Sequence, residues 1–295
     1  MKKSFLISGV IALLAAVGFA QYYDRGFRRG RGDPYEIPRT AREVESNSTG
    51  TPTWTNPAAH VKDVFTFVRI VYSSGYGYGG GYGRRRGGGW RTDLPDSDLN
   101  LSWRLQQMTS MKVDPDGRNI RLTDPELKDF PFIYIVEPGS LYLSEEEATA
   151  LRNYLLNGGF LMLDDFWGDS EWENCEENLK KVFPNRSFKE LEMDHPIYHC
   201  VFEIKQKWQV PNIDVGANSE FNGVTWEYNH DGDTQTVHHK VITDDKERVM
   251  VIACHNTDNG DGWEREGESD YYFHNFSEKV AYPLGINILF YAMTH

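Results

Sequence analysis

Two continuous apolar runs with an amphipathic segment between them dominate the hydrophobic pattern of the chain. The runs "FPFIYIVEPG" (130–139) and "FLMLDDF" (160–166) are typical of strands buried on both faces of a parallel sheet. The segment 144–159 between them has apolar residues at helical spacing, and Ser144 with Glu147 predicts a capping box at its start. Because strand, helix and strand follow with short connections, we predict that the two runs are adjacent parallel strands.

The remaining pattern extends this α/β arrangement over most of the chain. The β-branched and aromatic run "VFTFVRIVY" (64–72) predicts a strand. Apolar periodicity predicts helices over 93–111, 171–183 and 277–295, and alternating segments within 221–254 predict hairpin strands. We therefore expect a single, mostly parallel three-layer α/β domain over 61–295, with a β-rich insertion in its C-terminal half.

The first part of the chain has a different character. Lys2 and Lys3, a short apolar run and small residues before Gln21 predict a signal peptide at 1–20. Residues 21–60 are rich in Arg, Gly and Pro with little apolar periodicity, and we expect a disordered lead-in. The Gly/Tyr/Arg-rich stretch 73–90 lacks a phosphate-binding pattern, and its composition favours a flexible loop, with ligand stacking as the alternative.

The net charge of the chain and its distribution limit the kinds of partner that it can bind. The chain has a net charge of −13, but residues 21–92 carry twelve Lys/Arg against six Asp/Glu, so the excess acid lies in the remainder. Such an acidic body argues against nucleic acid as a partner. No segment after the signal is apolar enough to span a membrane. We expect a protein that is exported to the periplasm or beyond.

Acidic residues follow the predicted strands directly. Asp164 and Asp165 come at the end of the second apolar run, and Glu137 comes at the end of the first. In open α/β sheets, ligands bind beyond the carboxyl ends of the strands. We therefore predict a ligand site at this edge, and its candidate residues are Asp164, Asp165, Trp167, Glu171, His195, Asp258, Asp261, Trp263 and Glu264.

Several of these motifs together resemble one family. The segments "GGFLMLDDFWG", "FPFIYIVEPG", "HPIYHCVF", "NTDNGDGWE" and "LGINILFYAMTH" are similar to the bacterial domain of unknown function 4159 family, over roughly residues 62–295. The resemblance implies a class I glutamine amidotransferase-like fold, which is itself flavodoxin-like. It implies no established activity.

The chain departs from the wider superfamily at the nucleophile. In the glutamine amidotransferases, a Cys follows the strand that corresponds to "GGFLMLDDFWG", whereas this segment has neither Cys nor Ser at the turn. Cys175 falls inside the next predicted helix. Since triad chemistry needs a nucleophile at that turn, we expect no amidotransferase activity.

The carboxylates leave two chemical alternatives open. Asp164, Asp165, His195 and Asp261 are candidate ligands of a divalent metal, either Ca²⁺, Mg²⁺ or Mn²⁺ through oxygen or Zn²⁺ with the help of histidine. Paired carboxylates could instead act on a sugar, whose rings would stack on Trp167, Trp172, Trp226 and Trp263. The plainer interpretation is that the carboxylates cap turns or bind basic side chains, and that the tryptophans belong to the core.

Three functions are consistent with this sequence. The missing nucleophile favours a non-catalytic domain that binds an envelope protein or a polar or carbohydrate ligand. The second hypothesis is a metal-assisted hydrolase of a carbohydrate or envelope polymer. The third is a structural envelope protein that makes contacts through the 73–90 loop. Convergence of the four candidate metal ligands in one cleft would favour the second.

Overall fold

A central sheet of seven strands organises the part of the chain that the structure, a computed structural model, describes. These residues are 37–60, 63–74 and 89–295. The predicted signal peptide at 1–20 and residues 75–88 of the predicted Gly/Tyr/Arg-rich loop lie outside them. The described ends of that loop are anchored, because Ser73–Ser74 pairs with Leu141–Tyr142 and the Gly89 N–H donates to Glu137.

The sheet is mostly parallel. In chain order its strands are β1 (Val68–Ile70), β2 (Arg118–Ile120), β3 (Phe132–Val136), β4 (Phe160–Asp164), β5 (Lys189–Glu190), β6 (His238–Thr243) and β7 (Val249–His255). Their order across the sheet is β2-β1-β3-β4-β7-β6-β5. The first five in this order run parallel, and β6 is antiparallel to both neighbours. Phe132 pairs with Phe160 and Val136 with Asp164, which confirms the predicted pair of adjacent parallel strands.

Helices connect and cover the strands. They are α1 (Asp96–Met108), α2 (Glu145–Leu156), α3 (Gly168–Val182), α4 (Ile213–Asn222), α5 (Asn259–Glu264), α6 (Asp270–Tyr272) and α7 (Tyr282–Thr294), and a π-helical segment, Phe273–Ala281, precedes α7. The predicted capping box of α2 is confirmed, since Ser144 and Glu147 each accept a backbone N–H from the other. Within the described residues, no helix is both long and apolar enough to cross a membrane.

Both faces of the sheet are buried, as the continuous apolar runs predict. Phe132, Tyr134 and Met162 point into a core shared with α1 and α7. The alternate residues of the same strands, such as Ile133 and Leu161, are also fully buried. This sandwich explains why β3 and β4 lack the polar alternation of a strand with one solvent-exposed face.

The described part of the predicted disordered lead-in is instead packed against the domain. Ala41 is fully buried, and the Trp54 indole N–H donates to the carbonyl of Val113 at 2.8 Å. The backbone N–H groups of Asn47 and Ser48 donate to the carboxylate of Asp96, at 2.6 and 3.0 Å. The composition of the segment does not predict this ordered structure, because hydrogen bonds to distant residues hold the segment in place and its own apolar periodicity does not.

The predicted β-rich insertion also differs from the structure. Its strands β6 and β7 belong to the central sheet, and residues 223–237, which precede them, contain no strand. Gly223 and Gly232 adopt positive φ angles of 72° and 68°, which favour turns in this stretch. The alternation of polar and apolar residues there is too short to overcome these turn signals.

A buried arginine lies on β1, between the edge strand β2 and β3. Arg69 of β1 is fully buried, and its Nε donates to both carboxylate oxygens of Asp98, at 3.1 and 3.0 Å. Its remaining nitrogens donate to the carbonyls of Trp90 and Thr92 and to the hydroxyl of Ser97. One guanidinium therefore fixes the whole segment that leads into α1.

We predict that Leu161→Ala lowers the free energy of unfolding by about 2–5 kcal/mol, because the truncation leaves a cavity in the close-packed sheet. Chemical denaturation monitored by circular dichroism measures the loss. Leu156→Ala is the matched control: Leu156 is 51% exposed, and its truncation should change stability by about 0.5 kcal/mol or less. Equal losses in the two variants would contradict the buried position of β4.

We predict that Arg69→Met destabilises the protein by about 3–5 kcal/mol, because Asp98 is left buried without a compensating charge. The double variant Arg69→Met with Asp98→Leu should recover part of this loss, since it removes the unpaired charge. Urea denaturation of both variants tests the pair. A double variant that is less stable than the single one would show that the charge of Asp98 is compensated elsewhere.

Candidate functional site

Three parallel strands end in the same unusual backbone conformation. Glu137, Asp165 and Asn256 each come directly after the last residue of β3, β4 and β7, with φ angles of 48°, 58° and 59°. Non-glycine residues are uncommon in this left-handed region, and such strained positions cluster at functional sites. At all three positions the chain turns sharply at the carboxyl edge of the sheet, where the sequence predicts the ligand site.

Asp93 is a fourth left-handed residue at this edge, with a φ of 62°. It lies just before α1, in the segment held by Arg69. Its Oδ2 is buried and has no hydrogen-bond partner. Gly260 of α5 allows this close approach, because a Cβ at that position would lie 2.2 Å from the same oxygen.

The edge brings carboxylates from separate segments together. One carboxylate oxygen from each of Asp93, Asp165 and Asp258 lies within 4.8 Å of the other two. Asp93 forms a second such group with Asp261 and Glu264. The first group joins the ends of β4 and β7 to the start of α1, and we call Asp93, Asp165 and Asp258 the edge triad.

Asp164 has a structural role beside the edge triad. Its carboxylate accepts hydrogen bonds from the Asn259 amide at 2.7 Å, the Gly260 N–H at 3.0 Å and the Tyr134 hydroxyl at 3.1 Å. It therefore binds the first turn of α5, and it also accepts a hydrogen bond from the backbone N–H of Asp165. Its side chain is fully buried, so it is not itself open to a ligand.

Asp261 and Glu264 are already paired with a basic side chain. The Arg265 Nε lies 3.2 Å from Asp261 and 2.7 Å from Glu264. The second oxygen of Asp261 accepts the Ile213 N–H at 2.7 Å. These two predicted site residues therefore lie beside the edge triad, and both are within ion-pair distance of Arg265, which also pairs with Glu268.

Burial and mutual repulsion shift the pKa values of the edge carboxyls upward. Burial raises the pKa of Asp164 to about 7, in spite of its hydrogen bonds. Burial, with the nearby Glu137 and Asp93, raises the pKa of Asp165 well above its usual range. Burial, with Asp165 and Asp261, does the same for Asp258. A cation placed among them would relieve this repulsion.

Trp167 and Glu171 support the site from α3. The Trp167 indole N–H donates to Asp165 at 3.3 Å, and its backbone N–H donates to Glu171 at 2.8 Å. Glu171 also contacts His230 at 3.1 Å. Burial disfavours the charged form of His230, but hydrogen bonds with Glu171 and Glu227 raise its pKa to about 9. Both predicted residues therefore belong to the wall of the site.

His195 lies far from the edge triad, so the predicted convergence of the four metal ligands does not occur. Its ring packs on Tyr291, whose hydroxyl accepts the N–H of Val249, the first residue of β7. His195 is thus at the amino edge of the sheet, about 20 Å away along the seven-residue β7. It precedes a proline in an ordinary turn and accepts the N–H of Ile197.

Trp263 is also not a surface platform. Its side chain is fully buried and packs against Tyr134, with ring centroids 5.8 Å apart. Trp167 is only 1% exposed. The plainer interpretation, that these tryptophans belong to the core, is the one that the packing supports.

Two participants were not predicted from the sequence. Arg69 gave a signal that could have been used, because a charged residue inside an apolar strand needs a buried partner. No such signal marks Asp93, since it is one of several aspartates before α1 that are expected to cap the helix. Only the folded chain places it against β4 and α5.

Two cavities lie at the opposite, amino edge of the sheet. The larger, of about 740 Å³, is lined in part by Phe130, Pro131 and Tyr154. The other, of about 470 Å³, is lined in part by Arg248 and Tyr291. Neither contains a predicted site residue, and the left-handed strand ends are on the other side of the sheet.

The fold and site thus define an α/β protein with a mostly parallel sheet and an acidic carboxyl edge. The sequence profile of the family Domain of unknown function (DUF4159) matches residues 66–293, and the chain belongs to this family. The match runs from just before β1 into the last turn of α7. Among curated proteins, none matches the sequence.

We predict that stability falls as the pH rises from about 6.5 to about 8 in buffer with EDTA. Asp164 has a raised folded-state pKa of about 7, so the folded chain keeps a proton that the unfolded chain has released. The lowered pKa of His255, about 4, opposes this fall only at the lower end of the range, because the unfolded ring, with a pKa of about 6.5, is half protonated there and neutral by pH 8. Melting temperatures across the range measure the effect.

Asp165→Asn should make this fall shallower and raise the melting temperature at the upper end of the range. Asparagine tolerates the left-handed conformation, so the substitution changes charge more than backbone. Asp214→Asn, at an exposed position of α4, is the control and should leave the slope unchanged. Parallel profiles for wild type and Asp165→Asn would mean that Asp165 is ionised throughout.

Proposed function

We propose that this protein is an exported, non-catalytic binding domain that holds a positively charged ligand at the carboxyl edge of its sheet. The observation that carries the proposal is the convergence of the edge triad from three separate segments. Among the described residues, no Lys, Arg or His forms an ion pair with Asp93, Asp165 or Asp258. A cationic ligand would supply a charge that the described residues do not place in an ion pair with the triad.

The scaffold that we propose is flavodoxin-like, of the glutamine amidotransferase-like type. The parallel strands in the order β2-β1-β3-β4-β7 support this, because a flavodoxin-like sheet has the order 2-1-3-4-5. Such folds bind ligands beyond the carboxyl ends of their strands. The edge triad lies at that side of the sheet.

The turn after β4 supports a non-catalytic role. Asp165 stands between β4 and α3, where the amidotransferases carry their cysteine. Burial and the nearby Glu137 and Asp93 raise the pKa of Asp165, which disfavours the carboxylate form that a nucleophile needs. Burial also raises the pKa of the Cys175 and Cys254 thiols, so neither provides a thiolate.

The two other functions have less support. A hydrolase of carbohydrate would need exposed aromatic platforms beside its carboxylates. Trp167 and Trp263 are buried, and Trp172 and Trp226 are only partly exposed. A structural envelope protein would make contacts through the 73–90 loop, most of which lies outside the described residues. Export rests on the predicted signal peptide and places the ligand or partner in the periplasm or outside the cell.

We predict that the wild-type chain binds at least one of two cationic probes, spermidine and CaCl₂, and does not bind glutamate. Isothermal titration calorimetry at low ionic strength measures this, because salt screens the charges of a partly exposed site. Asp165→Asn should weaken the binding by about tenfold or more, which corresponds to a loss of about 1.4 kcal/mol.

The control for this experiment is Asp214→Asn, which removes the same charge from an exposed helical position. It should bind as the wild type does, and circular dichroism should show all three chains to be folded. If the folded wild type binds neither cation, or if Asp165→Asn binds equally well, the carboxyl edge is not a cation site and the proposal fails.

A further inference from the structure

We propose that the edge triad of Asp93, Asp165 and Asp258 is a calcium-binding site. This inference rests on the proposed function, because it identifies the positively charged ligand of the same site. It adds a chemical class that the family assignment does not contain. It also replaces the ligand set predicted from sequence, since His195 is at the far edge and Asp164 is committed to α5.

The first support is an unpartnered buried oxygen. Asp93 is only 9% exposed, and its Oδ2 has no hydrogen-bond partner. Burying a carboxylate oxygen without a donor is costly, and native proteins avoid it unless something else binds that oxygen. The carboxylate of Asp93 faces Asp165 and Asp258, with one oxygen of each residue inside the same 4.8 Å group.

The second support is the contrast with neighbouring carboxylates. Asp98 is paired with Arg69, and Asp261 and Glu264 are paired with Arg265. The three members of the edge triad form no such pair within the described chain. Arg69 and Arg265 thus form ion pairs with three neighbouring carboxylates, whereas none of the ion pairs among the described residues includes a member of the edge triad.

The third support is the orientation of the triad by other groups. The Trp167 indole N–H holds one oxygen of Asp165, and the Asp261 N–H holds one oxygen of Asp258 at 2.7 Å. Donors of this kind fix the direction of metal-binding carboxylates in known sites. Each of these two residues has a second carboxylate oxygen for a cation.

The ligand chemistry selects a hard cation. All three donors are carboxylate oxygens, and the nearby His230 is occupied by Glu171 and Glu227. Oxygen ligands suit Ca²⁺ and Mg²⁺ rather than Zn²⁺. Ca²⁺ binds oxygen at about 2.3–2.6 Å, so two of its ligands lie at most about 5 Å apart, and it tolerates irregular geometry. Mg²⁺ requires shorter bonds in a near-ideal octahedron, which three carboxylates on separate segments are not built to supply.

Terbium luminescence provides a direct test, because Tb³⁺ occupies calcium sites and is excited by a nearby indole. The chain without its signal peptide is titrated with TbCl₃ and then with CaCl₂ or MgCl₂ as competitor. We expect emission that CaCl₂ abolishes, with a dissociation constant for Ca²⁺ of about 10⁻⁴–10⁻³ M, as in extracellular modules. MgCl₂ should compete about tenfold less well.

Substitutions locate the ion. Asp93→Asn, Asp165→Asn and Asp258→Asn should each weaken Ca²⁺ binding by about tenfold or more, because affinity depends on the number of charged ligands. Asn keeps the left-handed backbone at the first two positions and the helix cap at the third. Asp214→Asn is the matched control and should bind Ca²⁺ as the wild type does.

Trp167→Phe should remove most of the terbium emission but leave the calcium affinity, measured by calorimetry, within about twofold of wild type, since the indole only orients one ligand. Emission that persists in Trp167→Phe and is lost in Glu264→Gln would place the ion at the second acidic group and overturn the assignment. Mg²⁺ binding as tight as that of Ca²⁺ would overturn it as well.

The outcome also separates this inference from the proposed function. If the wild type binds spermidine but neither Ca²⁺ nor Tb³⁺, the calcium site is wrong and the domain still binds a cation at this edge. If no cation binds and circular dichroism shows a folded chain, both proposals fail. If Ca²⁺ binds but the three triad variants retain the affinity of wild type, the ion lies elsewhere and the calcium site at the edge triad is wrong.

Discussion

The buried ion pair between Arg69 and Asp98 is the interaction on which the arrangement of the site depends. Arg69 stands on β1, between the parallel strands β2 and β3, with no exposed surface. A charge in that position is tolerated only when its donors are satisfied and its charge is paired. The guanidinium meets both conditions by binding Asp98, Ser97 and two carbonyls of the segment 90–92. Because these hydrogen bonds hold the segment against β1, Asp93 lies at the carboxyl edge of the sheet.

The edge itself combines two features that are individually unfavourable. Three strands end in left-handed residues other than glycine, and the carboxylates that follow are buried close to one another. Strain of this kind persists only where the surrounding structure enforces it. Asp164 contributes by fastening the first turn of α5 to β4 and β3, so that Asp258 is held beside Asp165. The rigid sheet thus maintains a concentration of negative charge that a flexible loop would disperse.

On the amidotransferase-like scaffold that we propose, the same edge would serve a purpose other than catalysis. The turn after β4 would present a reactive side chain, but here it presents Asp165 in a group of carboxylates that favours its protonated form. The chemistry of a residue at such a turn depends on the side chains around it as much as on the turn itself. With acidic neighbours and no thiolate, the position is suited to holding a cation.

The sequence by itself determined the elements whose signals are local. The continuous apolar runs of β3 and β4, and the capping box and stripe of α2, define a parallel unit because burial on both faces and helix capping are properties of short segments. Since the carboxyl ends of parallel strands share one edge, the placement of Asp164 and Asp165 there followed as well. The order of residues 38–56, in contrast, depends on hydrogen bonds to Asp96 and Val113, which no local pattern reveals. Only the tertiary structure could decide which acidic residues meet, because Asp93, Asp165 and Asp258 are far apart in the chain. The adjacency of β4 and β7 in the sheet, and the hydrogen bonds of Arg69 to the segment before α1, bring them together. For the same reason, only the fold could place His195 at the opposite edge.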